Sequence, residues 1–145
     1  MTTFLAKPRH RQVRWRVVDA EGKVLGRLAA RAARALMGKD SPDWTPYADH
    51  REGLIIINAE KVRLTGRKLD NKLYRHYTGY PGGLRETTAR VILARKPERL
   101  LAEAIRGMLP KSRLGDRLAA RLRIYAGGDY PHQAQRPEAL DLARV

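Results

Sequence analysis

Between Lys72 and Leu84 the chain reads Lys-Leu-Tyr-Arg-His-Tyr-Thr-Gly-Tyr-Pro-Gly-Gly-Leu, placing three of its six tyrosines among basic residues. These residue types suit RNA. Tyr74, Tyr77 and Tyr80 offer flat faces on which a base or ribose can stack. Arg67, Lys68, Lys72, Arg75 and His76 offer donors and positive charge, while Gly82 and Gly83 let another backbone come close. Tyr74 and Tyr77 are three apart, so on a strand they point to opposite faces and one of them can belong to the core. The Tyr80–Gly83 loop is costly in entropy unless something orders it, and binding RNA would do so.

Two arginine stripes carry the same chemistry. Arg27, Arg31 and Arg34 fall at i, i+4 and i+7 of a predicted helix. Arg113, Arg117 and Arg121, just after Lys111, fall at i, i+4 and i+8 of another. Solvated helix faces usually mix signs, because like charges four residues apart repel by a few tenths of a kcal/mol. Both stripes read as free of interleaved acid, so their counter-charge is expected from phosphate, whose oxygens the planar guanidinium can bond two at a time.

The chain as a whole agrees. Thirty Lys and Arg against fifteen Asp and Glu give a formal net charge of +15 over 145 residues, which draws the molecule to polyanions. Membrane spanning is unsupported, since no apolar run is longer than the four residues from Leu54 to Ile57. Cysteine is absent, which removes disulfides, thiolate metal sites and cysteine nucleophiles. The four histidines, His10, His50, His76 and His132, show no metal-ligand spacing, and no cofactor is implied. Ser41 and Ser112 lie outside any nucleophile motif, and no phosphate-binding loop is present. Asp49-His50-x-Glu52 is the nearest approach to an acid–base cluster but reads better as a polar surface loop, and Asp19, at a strand end, has no recognisable partner. An enzyme acting on nucleotides and an architectural DNA-binding protein are the rival classes.

The elements that position these residues form one α/β domain over residues 15–128, with a basic N-terminal arm at 1–14 and an extended tail at 129–145. Trp15–Asp19 reads as a strand and Leu25–Met37 as an amphipathic helix ended by Gly38. Asp40 to Glu52 is an acidic loop. Leu54–Ile57 is apolar throughout, as in a parallel strand covered on both faces. Lys61–Leu64 alternates like a half-buried strand. Thr88 opens a helix to Arg95, Pro97 begins the next, and Pro110 stops it. Ser112 opens a third, with Leu114, Leu118 and Leu122 inward, and Arg123–Ala126 is a last strand.

Several motifs, in order along nearly the whole chain, resemble the L-thirteen (uL-thirteen) family of the bacterial large ribosomal subunit. They are Val18-Asp19-Ala20-Glu21-Gly22 with Leu25-Gly26-Arg27-Leu28-Ala29, Asn58-Ala59-Glu60-Lys61 with Thr65-Gly66, and Tyr77-Thr78-Gly79-Tyr80-Pro81-Gly82-Gly83-Leu84. Pro97-Glu98-Arg99, Gly107-Met108-Leu109-Pro110-Lys111 with Leu114-Gly115, Tyr125-Ala126-Gly127 and His132-x-x-Gln135-x-Pro137 complete the series. The resemblance implies a three-layer α/β/α fold around a small, mainly parallel sheet. It also implies a non-catalytic, early-assembling component of the cytoplasmic ribosome, with large-subunit ribosomal RNA and neighbouring ribosomal proteins as partners. In some relatives it extends to the protein's own messenger RNA. The absence of any base-reading motif points to recognition of RNA shape and backbone.

Overall fold

A computed structural model describes residues 12–140. The main sheet has four parallel strands in the order β5-β2-β1-β6. Strand β1 is Arg14–Asp19, β2 is Glu52–Ile57, β5 is Leu122–Ile124 and β6 is Glu138–Ala139. Parallel neighbours need crossovers, and helices supply them. Helix α1, Leu25–Leu36, joins β1 to β2. Between β2 and β5 the chain forms α2 (Lys68–Asn71), a hairpin of β3 (Leu73–Tyr77) and β4 (Leu84–Thr88), then α3 (Ala89–Arg95), α4 (Pro97–Met108) and α5 (Arg113–Ala120).

The core follows from alternation on the strands and the three-to-four residue repeat on the helices. Val18, Leu54 and Ile56 point to one face of the sheet and join a cluster with Leu28, Ala29, Ala32 and Leu36 of α1 and Leu100, Leu101 and Ile105 of α4. Burying each such leucine or isoleucine is worth roughly 1.5–3 kcal/mol. Alanines at the α1 contact let helix and sheet approach closely while keeping high helix propensity. Ile55 points the other way and is equally buried, so both faces of β2 are covered, as its continuous apolar run requires. On that second face Trp15 lies over Gly53, where a Cβ would stand 2.7 Å from the indole, and stacks on His132 at 5.9 Å. The Tyr125 hydroxyl and His132 Nε2 are 2.6 Å apart and fix the tail there. The fold is the expected α/β class around a mainly parallel sheet.

Four local expectations need correction. Residues 61–64 form no strand. Asn58 turns the chain at φ +57°, a 3-10 turn spans Ala59–Lys61, and only Arg63 bridges to Val24. The alternation itself was real, since Val62 is buried and Arg63 exposed, but no long partner strand is available. Helix α5 ends at Ala120, so Leu122 belongs to β5 rather than to the helix. The tyrosine segment is a two-stranded antiparallel hairpin, with Tyr77 opposite Leu84 and Leu73 opposite Thr88. Lastly, the tail returns through a 3-10 turn at Gln133–Gln135 and adds β6 to the edge of β1. Arg14 already belongs to β1 and pairs with Glu138 across that edge. The rest of the basic arm, up to residue 11, and residues 141–145 lie outside the described residues.

Candidate nucleic-acid interface

Which cations are free for a partner depends on which ones the protein uses itself. Helix α1 turns its leucines and all its alanines but Ala30 inward, so Arg27, Arg31 and Arg34 all lie exposed on its outer side, as their spacing requires. Arg27 and Arg31 have no ion pair among the described residues. Arg34 Nε lies 3.4 Å from Asp40 Oδ1, at the end of α1, beside a polar crevice of about 470 Å³ that Arg14, Arg16 and Lys39 also line.

At the other end of α1 the structure joins three segments that are far apart in sequence. A cavity of about 640 Å³ opens between the first residues of α1, the segment 63–65, α2 and the last turns of α4. Arg63, Lys68 and Lys72 stand around it. The only acid among its described lining residues, Glu103, is held by Arg99 at 2.6 Å. Lys68 Nζ reaches Thr65 Oγ1 at 3.4 Å, and Lys72 Nζ sits 5.3 Å from the centre of the Tyr74 ring, so both ammonium groups are pinned near the opening. Arg67, at the start of α2, is exposed and unpaired among the described residues.

The hairpin divides its residues between two faces. Tyr74 is the partly buried tyrosine, packed against the core, and burial raises its hydroxyl pKa. His76 and Arg85 are cross-strand partners on the same face as Tyr74, and both are exposed. Tyr77 lies on the opposite face, 60% exposed, and Tyr80, in the turn, is 75% exposed. Arg75 donates to Glu86 Oε1 at 2.6 Å, so its charge is already matched. The turn is built within the chain. The Thr78 amide donates to the Gly83 carbonyl at 3.1 Å and the Gly83 amide to that of Tyr80 at 2.9 Å. Gly82 takes φ +71°, and a Cβ on Gly83 would stand 2.1 Å from Thr78 Oγ1. Both glycines therefore have a role in the turn itself.

The second stripe divides differently. Arg113 and Arg117 are exposed on α5, but Asp116 is exposed between them and weakens the expectation of an uncompensated face. Lys111 Nζ bonds the Arg106 and Gly107 carbonyls at 3.2 and 3.3 Å and so caps the end of α4. Arg121 follows the helix and is turned inward. Its Nη1 donates to Asp49 Oδ1 at 2.6 Å and its Nη2 to Oδ2, with side chains only 19% and 22% exposed. That fork holds the Asp49 carboxyl below the usual carboxylate range. The acid–base candidates are likewise occupied. Asp19 accepts from Asn58 Nδ2 at 2.8 Å and from the Glu21 amide at 3.0 Å, which lowers its pKa, and burial raises that of Glu52.

Sequence reasoning passed over Arg63 and Arg85, both exposed and without an ion pair among the described residues. The signal available was alternation: the inward Val62 and Leu64 flank Arg63, and Leu84 and Glu86, on the other face of the hairpin, flank Arg85.

A family profile described as Ribosomal protein L13 matches residues 13–131. The chain is 52% identical over 142 residues to the large ribosomal subunit protein uL13 of Thermus thermophilus, covering 98% of this chain and all of the relative. A Thermoanaerobacter relative of the same name is 51% identical over 142 residues, covering 98% and 99% of the two chains. That of Thermotoga petrophila is 51% identical over 140 residues, covering 97% and 94%.

Proposed function

The chain belongs to the ribosomal protein L13 family, structural and non-enzymatic components of the large ribosomal subunit, and from that premise we propose how it grips RNA. The unpaired cations along α1 and around the cavity at its start form one phosphate-binding surface for large-subunit ribosomal RNA. Arg27 and Arg31 supply the helix face, and Arg63, Arg67, Lys68 and Lys72 continue it past the cavity. His76, Arg85 and Tyr80 extend it onto the hairpin, where Tyr80 offers a stacking face. Arg113 and Arg117 make a separate, weaker contact on α5. Arg121, Lys111 and Arg75 serve the fold. The observation that carries this reading is the uneven use of carboxylates: the protein neutralises Arg14, Arg16, Arg75, Arg90, Arg99 and Arg121 itself, while Arg27 and Arg31 have no carboxylate partner among the described residues.

Recognition on this reading is of backbone and shape, since phosphate contacts fix register without reading bases. Such a contact suits an early step of assembly, in which a folded domain neutralises crowded phosphates before the surrounding RNA packs. The same face would serve the protein's own messenger RNA, in competition with ribosomal RNA. Changing Arg27 and Arg31 to Glu tests the reading. The variant is expected to fold with an unchanged thermal midpoint, to fail to co-sediment with large subunits through a salt wash, and to leave assembly intermediates behind. Normal retention of the folded variant would refute it.

A further inference from the structure

The hairpin carries a second surface whose chemistry is opposite to that of the rest of the molecule. On a two-stranded sheet, alternate residues share a face and directly opposed residues lie side by side. The register therefore puts Leu73, Arg75 and Tyr77 of β3 with Thr88, Glu86 and Leu84 of β4 on one face, and Tyr74, His76, Arg85 and Thr87 on the other. The second face packs Tyr74 on the core. The first contains Leu73, Tyr77 and Leu84, at 42%, 60% and 56% exposure. Its one cation, Arg75, is matched by the carboxylate directly across from it, at 2.6 Å. In a chain of net charge +15 this face has no net charge.

We propose that this face docks a protein, namely a neighbouring protein of the large subunit presenting an apolar, uncharged surface. The inference rests on the reading that the chain sits in that subunit. The argument for protein over RNA is electrostatic. A phosphate brought to this face would find Arg75 already paired and would meet the repulsion of Glu86 in the middle of it. A neutral apolar surface would bury Leu73, Tyr77 and Leu84 with the Arg75–Glu86 pair left at their centre. Interface cores are enriched in tyrosine and arginine and depleted in Glu and Lys, and here the one carboxylate enters already matched by Arg75. The two faces would then divide the hairpin's work: His76 and Arg85 toward RNA, Tyr77 and Leu84 toward protein.

Photocrosslinking in purified large subunits tests this, with a benzophenone side chain at position 84 in one variant and, in another, in place of the exposed Ala30 between the α1 arginines. Position 84 is expected to capture a subunit protein, identified by its cross-linked peptide, and position 30 to capture ribosomal RNA. Capture of RNA or of a second copy of this chain at position 84, or of nothing while position 30 captures RNA, overturns the proposal. If position 84 captures protein and position 30 fails to capture RNA, the phosphate surface is wrong and the docking face stands. As a second readout, Tyr77→Ser with Leu84→Ser is expected to bind protein-free ribosomal RNA within about twofold of the parent. It should nonetheless leave subunits at lower salt. A tenfold loss on free RNA would place these side chains against RNA instead.

Discussion

Removing the Arg121 guanidinium while keeping its stem, as in Arg121→Met, should cost stability rather than RNA binding. Both terminal nitrogens of Arg121 bond the two Asp49 oxygens, and both side chains are about four-fifths covered. An exposed pair would be worth at most about 1 kcal/mol, and truncating one side of a fully buried pair costs about 3–5 kcal/mol. Hydrogen bonds to charged groups contribute about 1.5–3 kcal/mol, so at this burial we expect about 2 kcal/mol. For a domain of this size that is a fall of roughly 4–8 °C in thermal midpoint. Asp49→Asn should cost a similar amount, and the double variant little more than either alone, since the two side chains act as one unit. The pH dependence has a definite sign. The Arg121 hydrogen bond holds the folded-state Asp49 carboxyl below its unfolded value. The stability it contributes is therefore present above the unfolded pKa and is lost as pH falls through the folded one. The gap between parent and Arg121→Met in urea denaturation should thus be full at pH 7 and close on acidification. Parental stability with reduced affinity for ribosomal RNA would refute the reasoning and return Arg121 to the RNA-facing stripe.

Three further outcomes are expected. Gly115→Ala should destabilise by about 1–3 kcal/mol in urea titrations, because its Cβ would stand 1.8 Å from the Pro110 carbonyl oxygen and α5 would have to move; an unchanged midpoint would show that this turn adapts freely. Burial raises the Glu52 carboxyl above its unfolded value, so the stability from its protonated form is present at low pH and lost as pH rises through the folded pKa. Glu52→Gln should remove that loss, and a larger loss on going from pH 4 to 7 in the variant would contradict it. Tyr80→Ala should weaken ribosomal RNA binding by roughly 1–3 kcal/mol if a base stacks there, with no change in thermal midpoint because the side chain is three-quarters exposed.

The elements with strong periodicity were legible in the sequence. The repeat of Leu25, Leu28, Ala32 and Leu36 gave α1 and its outer arginines, the Leu54–Ile57 run gave a strand buried on both faces, and Pro97 marked the start of α4. What remained hidden depends on contacts between distant residues. Nothing local distinguishes Arg121 from Arg117; the difference is Asp49, brought up by the loop before β2. The hairpin was masked because its glycines read as loop, although Leu73–Tyr77 and Leu84–Thr88 alternate well enough to pair. Strand β6 is two residues long and exists only because the edge of β1 is there to receive it. The cavity that joins Lys68 and Lys72 to the start of α1 is likewise a product of folding, since the segments lining it come from three separate parts of the chain.

The central claim is that Arg27 and Arg31 touch phosphate. The salt dependence of binding to a large-subunit ribosomal RNA fragment tests it most directly, because each phosphate contact adds about 0.7–0.9 to the log–log slope. Replacing both arginines by Ala should lower the magnitude of that slope by roughly 1.4–1.8, with the thermal midpoint unchanged. An unchanged slope in a folded double variant would show that these side chains face solvent in the complex, and the account of the α1 face would fall.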